Sequence, residues 1–291
     1  MQTCLLQKSH LTHQPRLVQR HSATSRLSSR AVIGRAAKQQ VVQGATYEEI
    51  IEQLAQHALD AAQQKPGNSV YLVGIAGSPG SGKSTLAQQV ACRISQLCRQ
   101  RGMSRTAAVA PMDGFHYYKK QLDSMPEPQE AYARRGAHWT FDGAAFVAAI
   151  RRLKQHGAAS LPSFDHGVGD PIEDDIQIDA AQHAVVLVEG NYLFLEQDPW
   201  VQLRGLFDDA WFVDCPVDLA MQRVFDRQVA IGLAPDVSLG RIAGNDRPNA
   251  VLVNASKGAA RLLVPSNVPF AGSAAAAAGA AVDAAAERAS G

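Results

Sequence analysis

The stretch from Val70 to Thr85 reads V-Y-L-V-G-I-A-G-S-P-G-S-G-K-S-T and joins a short apolar run to a glycine-rich loop. The apolar, β-branched first half is typical of a buried parallel strand. The second half matches the pattern G-x-x-x-x-G-K-[ST] at Gly77, Gly82, Lys83 and Ser84. The residues that follow predict a helix. Because the pattern lies between a strand and a helix, we interpret it as a phosphate-binding loop rather than a plain glycine-rich turn.

Each residue type in this loop has a chemical reason. Glycines without a Cβ atom let the backbone bend tightly and turn its N–H groups toward a phosphate. Lys83 can reach the β- and γ-phosphates of a nucleoside triphosphate, and the Ser84 hydroxyl can ligate Mg²⁺. The helix predicted over residues 86–97 adds the positive end of its dipole. The predicted nucleotide-binding residues are Gly77, Ser78, Pro79, Gly80, Ser81, Gly82, Lys83, Ser84 and Thr85.

Composition limits the remaining possibilities. The 291 residues suffice for one large domain or two small ones, and 46% of them are hydrophobic. A formal net charge of +1 gives no support for nucleic-acid binding through a basic face. No apolar run is long enough to span a membrane, so we expect a soluble protein. The spacing of Cys4, Cys92, Cys98 and Cys215 fits neither a metal site nor a disulfide, which favours reduced thiols. The oligomeric state stays open.

The two ends of the chain differ from the middle. Residues 1–43 contain no Asp or Glu but many basic and hydroxyl side chains, a composition typical of an organelle transit peptide. A disordered basic tail is the alternative, and the serine content favours a plastid over a mitochondrion. Residues 271–291 form a low-complexity tail rich in alanine. We therefore expect one folded domain over residues 44–270.

A second strand, predicted over residues 106–112, leads into the sequence D-G-F-H-Y-Y. Ligands of open α/β sheets bind at the carboxyl ends of the strands. Asp113 should therefore lie near the γ-phosphate, where a base would take a proton from a hydroxyl group. His116 and Tyr117 follow on the side where a substrate would bind.

A buried strand over residues 184–189 ends in the carboxylate of Glu189, which suits a metal-binding acid beside the phosphate-binding loop. A further strand over residues 210–214 also ends in an acid, Asp214. The sequence leaves open which strand neighbours the phosphate-binding strand.

Two segments without clear periodicity are candidates for substrate binding. The first, residues 122–140, is expected to be irregular and carries Arg134 and Arg135, which could hold an anionic group of a substrate. The second, residues 160–182, is expected to be a loop-like insert with a solvated acidic run. The predicted substrate-binding residues are His116, Tyr117, Arg134, Arg135 and Asp165, with His166 as a neighbour.

The last third of the chain predicts a helix over residues 216–231. Arg223 and Arg227 lie four residues apart on it and share a face, which suggests a lid that covers the phosphates. The alternative is a surface ion pair with Asp226. The final elements are predicted as a polar turn at residues 244–249 and a strand at residues 251–253.

Taken in order, these pieces resemble the phosphoribulokinase/uridine kinase family. The matching pieces are G-S-P-G-S-G-K-S-T, M-D-G-F-H, T-F-D, P-S-F-D, V-E-G-N-Y, F-V-D-C-P, R-V-F-D-R and N-D-R-P-N. The likeness is greatest to the branch described as uridine kinase-like or pantothenate kinase-like. It implies an α/β fold of the P-loop NTPase type, three-layer α/β/α, with a five-stranded parallel sheet and a helical lid.

The resemblance also implies a reaction: ATP- and Mg²⁺-dependent phosphorylation of a hydroxyl group on a small metabolite. Lys83, Asp113 and Glu189 are then the catalytic residues, Ser84 and Glu189 hold the metal, and Arg223 and Arg227 belong to the lid. The acceptor stays open among a nucleoside, a pantothenate-like acid, a sugar and glycerate. The alternative is a non-catalytic P-loop protein or ATPase. The N-K-x-D motif of GTPases and the L-S-G-G-Q motif of transporter ATPases are absent from the sequence.

Overall fold

The computed structural model describes residues 39–67, 69–165 and 167–269. The predicted targeting segment up to residue 38, the alanine-rich tail and His166 lie outside these ranges. The strands are β1 (Gln40–Val41), β2 (Tyr71–Ala76), β3 (Thr106–Pro111), β4 (Ala158–Asp165), β5 (Asp170–Asp179), β6 (His183–Gly190), β7 (Asp209–Asp214) and β8 (Leu262–Pro265). The α-helices are α1 (Tyr47–Gln63), α2 (Lys83–Gln100), α3 (Lys119–Asp123), α4 (Pro128–Ala133), α5 (Gly143–His156), α6 (Val217–Ala230), α7 (Pro235–Arg241) and α8 (Arg247–Ala255). Single helical turns at Met112–Phe115, His138–Thr140, Trp200–Leu203 and Lys257–Ala259 and a π-helix at Ile242–Asp246 complete the chain.

The central sheet is parallel and has the strand order β1-β8-β7-β2-β6-β3. Its five main strands confirm the predicted fold class. The two-residue strand β1 adds a sixth, from residues that the sequence analysis assigns to the amino-terminal tail. Both β6 and β7 are hydrogen-bonded to β2, one on each side. The two strands that end in an acid therefore both neighbour the phosphate-binding strand.

Helices cover both faces of the sheet. Tyr71, Val73 and Ile75 of β2 pack in one core with α1 and α2, whereas Leu72 and Ala76 pack in another with α5. This alternation follows from the two-residue period of a strand. Each fully buried Leu or Ile contributes roughly 1.5–3 kcal/mol, so the two cores hold β2 rigidly beneath the loop that follows it. Within the described ranges, no helix combines the length and apolarity needed to cross a bilayer.

The position of the last strand differs from the prediction. Residues 251–253 belong to α8, and the strand lies further on, at β8. The V-L-V run is β-branched, but Ala250 and Val253 are buried three residues apart while Val251 is exposed, as on a helix face. The predicted polar turn at residues 244–249 is likewise helical, since it comprises the end of the π-helix and the start of α8.

Both segments predicted as irregular contain regular structure. Residues 160–182 form most of an antiparallel hairpin, β4 with β5, separate from the main sheet. The predicted solvated face is confirmed, since residues 173–175 are exposed. The segment 122–140 contains α4 and the turn His138–Thr140. These elements are too short to give a helical period in the sequence.

Candidate active site

The phosphate-binding loop connects the end of β2 to the first residue of α2. Gly82 caps the helix in a left-handed conformation, with φ 94°, and has no side chain that could hydrogen-bond the helix end. The first turn of α2 contains no acidic residue. Because the first N–H groups of a helix have no partner within it, those of Lys83, Ser84 and Thr85 are available to a ligand. This end of α2 is therefore suited to bind an anion.

Two glycines of the loop differ in what a side chain would meet. Gly80 has φ +77°, and a Cβ atom there would lie 2.2 Å from the Ala220 carbonyl oxygen on α6. Gly82 also has a positive φ, but a Cβ atom there would meet nothing within 4 Å. Gly80 thus permits close packing of the loop on α6, whereas Gly82 is needed only for its positive φ.

We expect Gly80→Ala to lower the free energy of unfolding by about 2–4 kcal/mol, because strain and a backbone clash add. Gly82→Ala is the matched control and should cost only about 1–2 kcal/mol. Denaturant unfolding without nucleotide measures both. Equal losses for the two variants would contradict the role given to the contact with α6.

Two serine hydroxyl groups in the loop have no partner among the residues that the structure describes. Ser78 and Ser81 are 0% and 1% exposed, and in this part of the chain neither Oγ atom forms a hydrogen bond. A buried polar atom without a partner is costly, unless a ligand or water satisfies it. Both the N–H groups at the start of α2 and these two hydroxyl groups could bind a polar ligand. The loop is therefore suited to a ligand such as a triphosphate.

Glu189 lies at the same level as the end of β2. It is aligned with Ile75 on one side and with Pro111 of β3 on the other, and it is only 5% exposed. Burial raises the pKa of its carboxyl group, the charge of Asp113 adds to this, and Lys83 and Ser84 oppose it. These interactions put the carboxylate close to Lys83, Ser84 and Asp113.

Asp214, the alternative acid at the end of β7, has a different environment. Its carboxylate oxygens lie 3.3 Å from Lys257 Nζ, so they form an ion pair away from the loop. Of the two strand-end acids, Glu189 is therefore the one beside Lys83 and Ser84. The sequence could not distinguish them because both strands flank β2.

Asp113 follows β3 on the turn Met112–Phe115. Its backbone carbonyl accepts hydrogen bonds from the His116 N–H at 3.2 Å and pairs with His116 Nδ1 at 2.8 Å, which fixes the turn. Its carboxylate raises the pKa of Glu189 and that of Tyr192. For both residues burial is the larger cause of the raised pKa. Asp113 is partly exposed. The chain thus brings one accessible and one buried carboxylate together with a lysine at the mouth of the loop.

Arg223 is hydrogen-bonded to the segment that follows β8. Its Nη1 donates to Ser266 Oγ at 2.6 Å, and its Nη2 donates to the Ser266 carbonyl at 2.9 Å. The Ser266 hydroxyl in turn donates to the Ser81 carbonyl at 2.8 Å. Arg223 therefore joins the phosphate-binding loop to the segment that follows β8. Arg227, one turn further along α6, is exposed.

A cavity of about 530 Å³ opens beside this arginine and reaches the start of α2. Tyr47 from α1 contributes one wall, and burial raises the pKa of its phenol to about 12, although Arg223 opposes the shift. The lining residues are Tyr47, Ser81, Gly82, Thr85, Leu219, Arg223, Ser266, Asn267, Val268 and Pro269. Tyr47 and residues 266–269 were missed by the sequence reasoning. A correct position for β8 would have identified 266–269 as a loop at the carboxyl edge of the sheet.

The predicted substrate-binding residues lie around the hairpin and the segment after Asp113. The His116 ring stacks between Phe141 at 3.9 Å and Phe164 at 4.6 Å. Arg135 lies over Phe164 and donates to the Tyr117 carbonyl at 2.9 Å. His116, Tyr117 and Arg135 are therefore close together.

Asp165 closes the turn of the hairpin. Its Oδ1 accepts hydrogen bonds from the N–H groups of Gly167 at 2.7 Å and Val168 at 3.1 Å. These bonds are those of an Asx turn. This carboxylate oxygen thus serves the local fold.

Arg134 is oriented by the π-helix. Its Nε donates to Asn245 Oδ1 at 3.2 Å, and Asn245 also donates to the Arg135 carbonyl at 2.9 Å. Asn245 is 5% exposed and accepts a further bond from Asn249. π-Helices often occur at functional sites. Asn245 and Asn249, which the sequence analysis treats as a turn, thus hold one wall of the candidate substrate side.

Comparison with known proteins agrees with this geometry. Residues 72–231 match the model of the family described as phosphoribulokinase/uridine kinase. The chain is 38% identical over 187 residues to C227.14 of Schizosaccharomyces pombe, provisionally named a uridine kinase, with 62% of this chain and 77% of that protein covered. It is 37% identical over 163 residues to notR′ of Aspergillus versicolor, named an ATP-dependent kinase-like protein, with 54% and 94% covered.

A crystal structure from Silicibacter sp. TM1040 is similar in both fold and sequence. That protein is provisionally described as a fructose transport system kinase. The TM-score is 0.63 at 30% identity, with 73% of this chain and 98% of that chain covered.

Proposed function

The chain belongs to the phosphoribulokinase/uridine kinase family, and from this premise we propose that it transfers the γ-phosphoryl group of ATP to a hydroxyl group of a small metabolite. The observation that carries the proposal is the cluster of Lys83, Ser84, Glu189 and Asp113 at the carboxyl edge of the sheet. A phosphate cradle alone would serve any nucleotide-binding protein. A second, accessible acid beside it supplies what transfer to an alcohol needs.

The nucleotide is bound by the loop and by α2. The N–H groups at the start of α2 and the side chain of Lys83 hold the phosphates, and the buried Ser78 and Ser81 hydroxyls find partners there. Ser84 and Glu189 would hold Mg²⁺, which neutralises charge on the phosphates when bound. Phosphoryl transfer depends mainly on positioning and on electrostatic stabilisation. Rigid packing of β2 between two cores supports that positioning.

Asp113 is the group proposed to act on the acceptor. Its carboxylate orients the hydroxyl group and takes its proton as the phosphoryl group moves. Glu189 is buried whereas Asp113 is partly exposed, so an incoming acceptor meets Asp113 first. This division favours Asp113 as the base and Glu189 as the metal ligand.

The cavity beside Arg223 is proposed to hold the nucleoside part of ATP. We expect Arg223→Ala to weaken binding of a non-hydrolysable ATP analogue by about tenfold or more, because its hydrogen bonds join both walls of the cavity. Isothermal titration measures this. Gln222→Ala, an exposed neighbour on α6, is the control and should bind normally. Normal affinity of Arg223→Ala for the ATP analogue would contradict the proposal that the nucleoside binds in this cavity.

The names of the relatives leave the acceptor open. One is provisionally a uridine kinase and another provisionally a fructose transport system kinase, so they name two different acceptor classes. The test of the proposed function is ADP release by the full chain with ATP, Mg²⁺ and a panel of metabolite alcohols. Acceptor-dependent release supports a kinase.

The second candidate, an ATPase or a non-catalytic nucleotide-binding protein, gives a different result in that assay. An ATPase releases ADP at the same rate with and without every acceptor. A non-catalytic protein binds the nucleotide and releases none. Either result would contradict the proposed kinase.

We also propose that the acid-free segment of residues 1–43 directs import into an organelle, with a plastid favoured. Its composition is the support. We expect residues 1–43 fused to a fluorescent reporter to take the reporter into the organelle. A reporter that stays diffuse in the cytosol would contradict targeting.

A further inference from the structure

The hairpin β4–β5 packs against the turn that carries Asp113 and so forms the outer wall of the acceptor side. Phe164 of β4 reaches His116, three residues after Asp113. What the acceptor can be therefore depends on which groups of this wall are still available to it. The wall contains two kinds of group that could bind an acceptor, aromatic rings and cations.

The aromatic rings of this wall stack on one another. His116 has Phe141 at 3.9 Å and Phe164 at 4.6 Å, with interplanar angles of 37° and 38°. The Arg135 guanidinium lies 5.6 Å from the centre of the Phe164 ring. A nucleobase is recognised largely by stacking on an open aromatic or guanidinium face. The His116 ring is already covered by Phe141 and Phe164, and the Phe164 ring by His116 and Arg135.

The cations of the same wall also have partners. Arg135 Nη2 donates to the Tyr117 carbonyl and lies 3.4 Å from Asp170, and its side chain is 16% exposed. Lys119 Nζ donates to the Val168 carbonyl at 2.6 Å. Recognition of a carboxylate or phosphate needs a cation whose donors are free to form a fork or an ion pair. Lys119 Nζ and Arg135 Nη2 instead hold the turn of the hairpin and the segment before it, while Arg135 Nε is buried without a partner among the described residues.

Arg134 has one clear partner and one weak one. Its Nε donates to Asn245, and its Nη1 lies 3.9 Å from Glu130. Asp246 of the same π-helix as Asn245 also interacts electrostatically with Arg241 and Arg227. An anionic acceptor would therefore compete with Glu130 and Asp246 for the cations of this wall.

Together these contacts lead to one acceptor class. We propose that the acceptor is a small, uncharged, polyhydroxylated molecule of the sugar or polyol class, and this rests on the kinase function proposed above. Its hydroxyl groups would be recognised by hydrogen-bond acceptors such as the partly exposed Asp113 carboxylate. A nucleoside and a phosphorylated or carboxylated acceptor are the excluded alternatives.

The test compares molecules that differ by one group. Isothermal titration with the full chain, Mg²⁺ and a non-hydrolysable ATP analogue is carried out with D-ribose, uridine and ribose 5-phosphate, and with D-fructose and fructose 6-phosphate. We expect at least one neutral sugar to bind about tenfold or more tightly than its phosphate ester and, for ribose, than uridine. Equal or tighter binding of uridine or of a phosphate ester would overturn the proposal. So would the absence of binding by both sugars.

A pair of variants tests whether Arg135 is committed to the hairpin. Asp170→Asn removes the charge beside its guanidinium and should improve binding of ribose 5-phosphate relative to ribose by about tenfold. Asp175→Asn makes the same charge change at an exposed position of β5 and should leave that ratio unchanged. Binding of the ATP analogue checks that each variant is folded. An unchanged ratio in Asp170→Asn, or the same gain in both, contradicts the argument from Arg135.

Turnover measured in the same samples with ATP keeps the two proposals separate. Neutral sugars that bind but are not phosphorylated would contradict the kinase function and still support the acceptor class. Phosphorylation of uridine or of a phosphate ester in preference to the sugars would support the kinase and overturn the acceptor class.

Discussion

Lys83→Ala should reduce turnover by about 10²–10³-fold or more, because it removes the side-chain cation that acts on Glu189 at the start of α2. The loss arises in the transition state, where negative charge spreads over the transferred group. Affinity for ATP should fall as well, since the lysine also contacts the ground-state phosphates. Initial rates of ADP release and titration with a non-hydrolysable analogue measure the two effects.

A control on the same helix separates the chemistry from general effects of charge. Arg99 is an exposed residue in the last turn of α2, at the opposite end from Lys83. Arg99→Ala removes one positive charge from α2 and should keep normal turnover. If Lys83→Ala also kept normal turnover, the assignment of the loop as the phosphate site would be wrong.

Asp113→Asn should separate binding from chemistry. The amide has nearly the shape of the carboxylate, so the turn Met112–Phe115 should survive, because it is fixed by the Asp113 backbone carbonyl and not by its side chain. The amide cannot take the proton of the acceptor. A general base typically contributes roughly 10²–10⁴-fold, and kcat should fall by about that factor. Affinity for the ATP analogue should change little.

Glu189→Gln is the matched variant for the other acid. It should raise the Mg²⁺ concentration needed for half-maximal rate, because Glu189 is the proposed metal ligand beside Ser84. The opposite assignment makes the reverse prediction: added Mg²⁺ would then rescue Asp113→Asn. Such a rescue, or a near-normal kcat in Asp113→Asn, would exchange the roles of the two acids.

The sequence was sufficient for elements whose signal is local. The strand, loop and helix from Val70 onward contain their own pattern. Thr46 and Asp142 are residue types that favour helix starts, and each accepts a hydrogen bond from the backbone three positions later. Asp113 and Glu189 could be located because each ends an apolar strand.

The remaining features depend on contacts between distant segments. The run Val251–Val253 has the composition of a strand, but packing of Ala250 and Val253 against α6 and the sheet makes it helical. Strand propensity is weak compared with such packing. The partners of Arg223 could not be predicted either, because Ser81 and Ser266 lie 142 and 43 residues away from it.

The hydrogen bond between Ser266 and Ser81 joins residues that are 185 positions apart. During synthesis the phosphate-binding loop therefore leaves the ribosome long before the serine that supports it. Until residues 262–269 follow, the loop lacks the arginine link and one wall of its cavity. A ribosome-bound or truncated chain that ends before Ser266 should consequently hold nucleotide poorly. Tight nucleotide binding then reports that translation of the domain is complete.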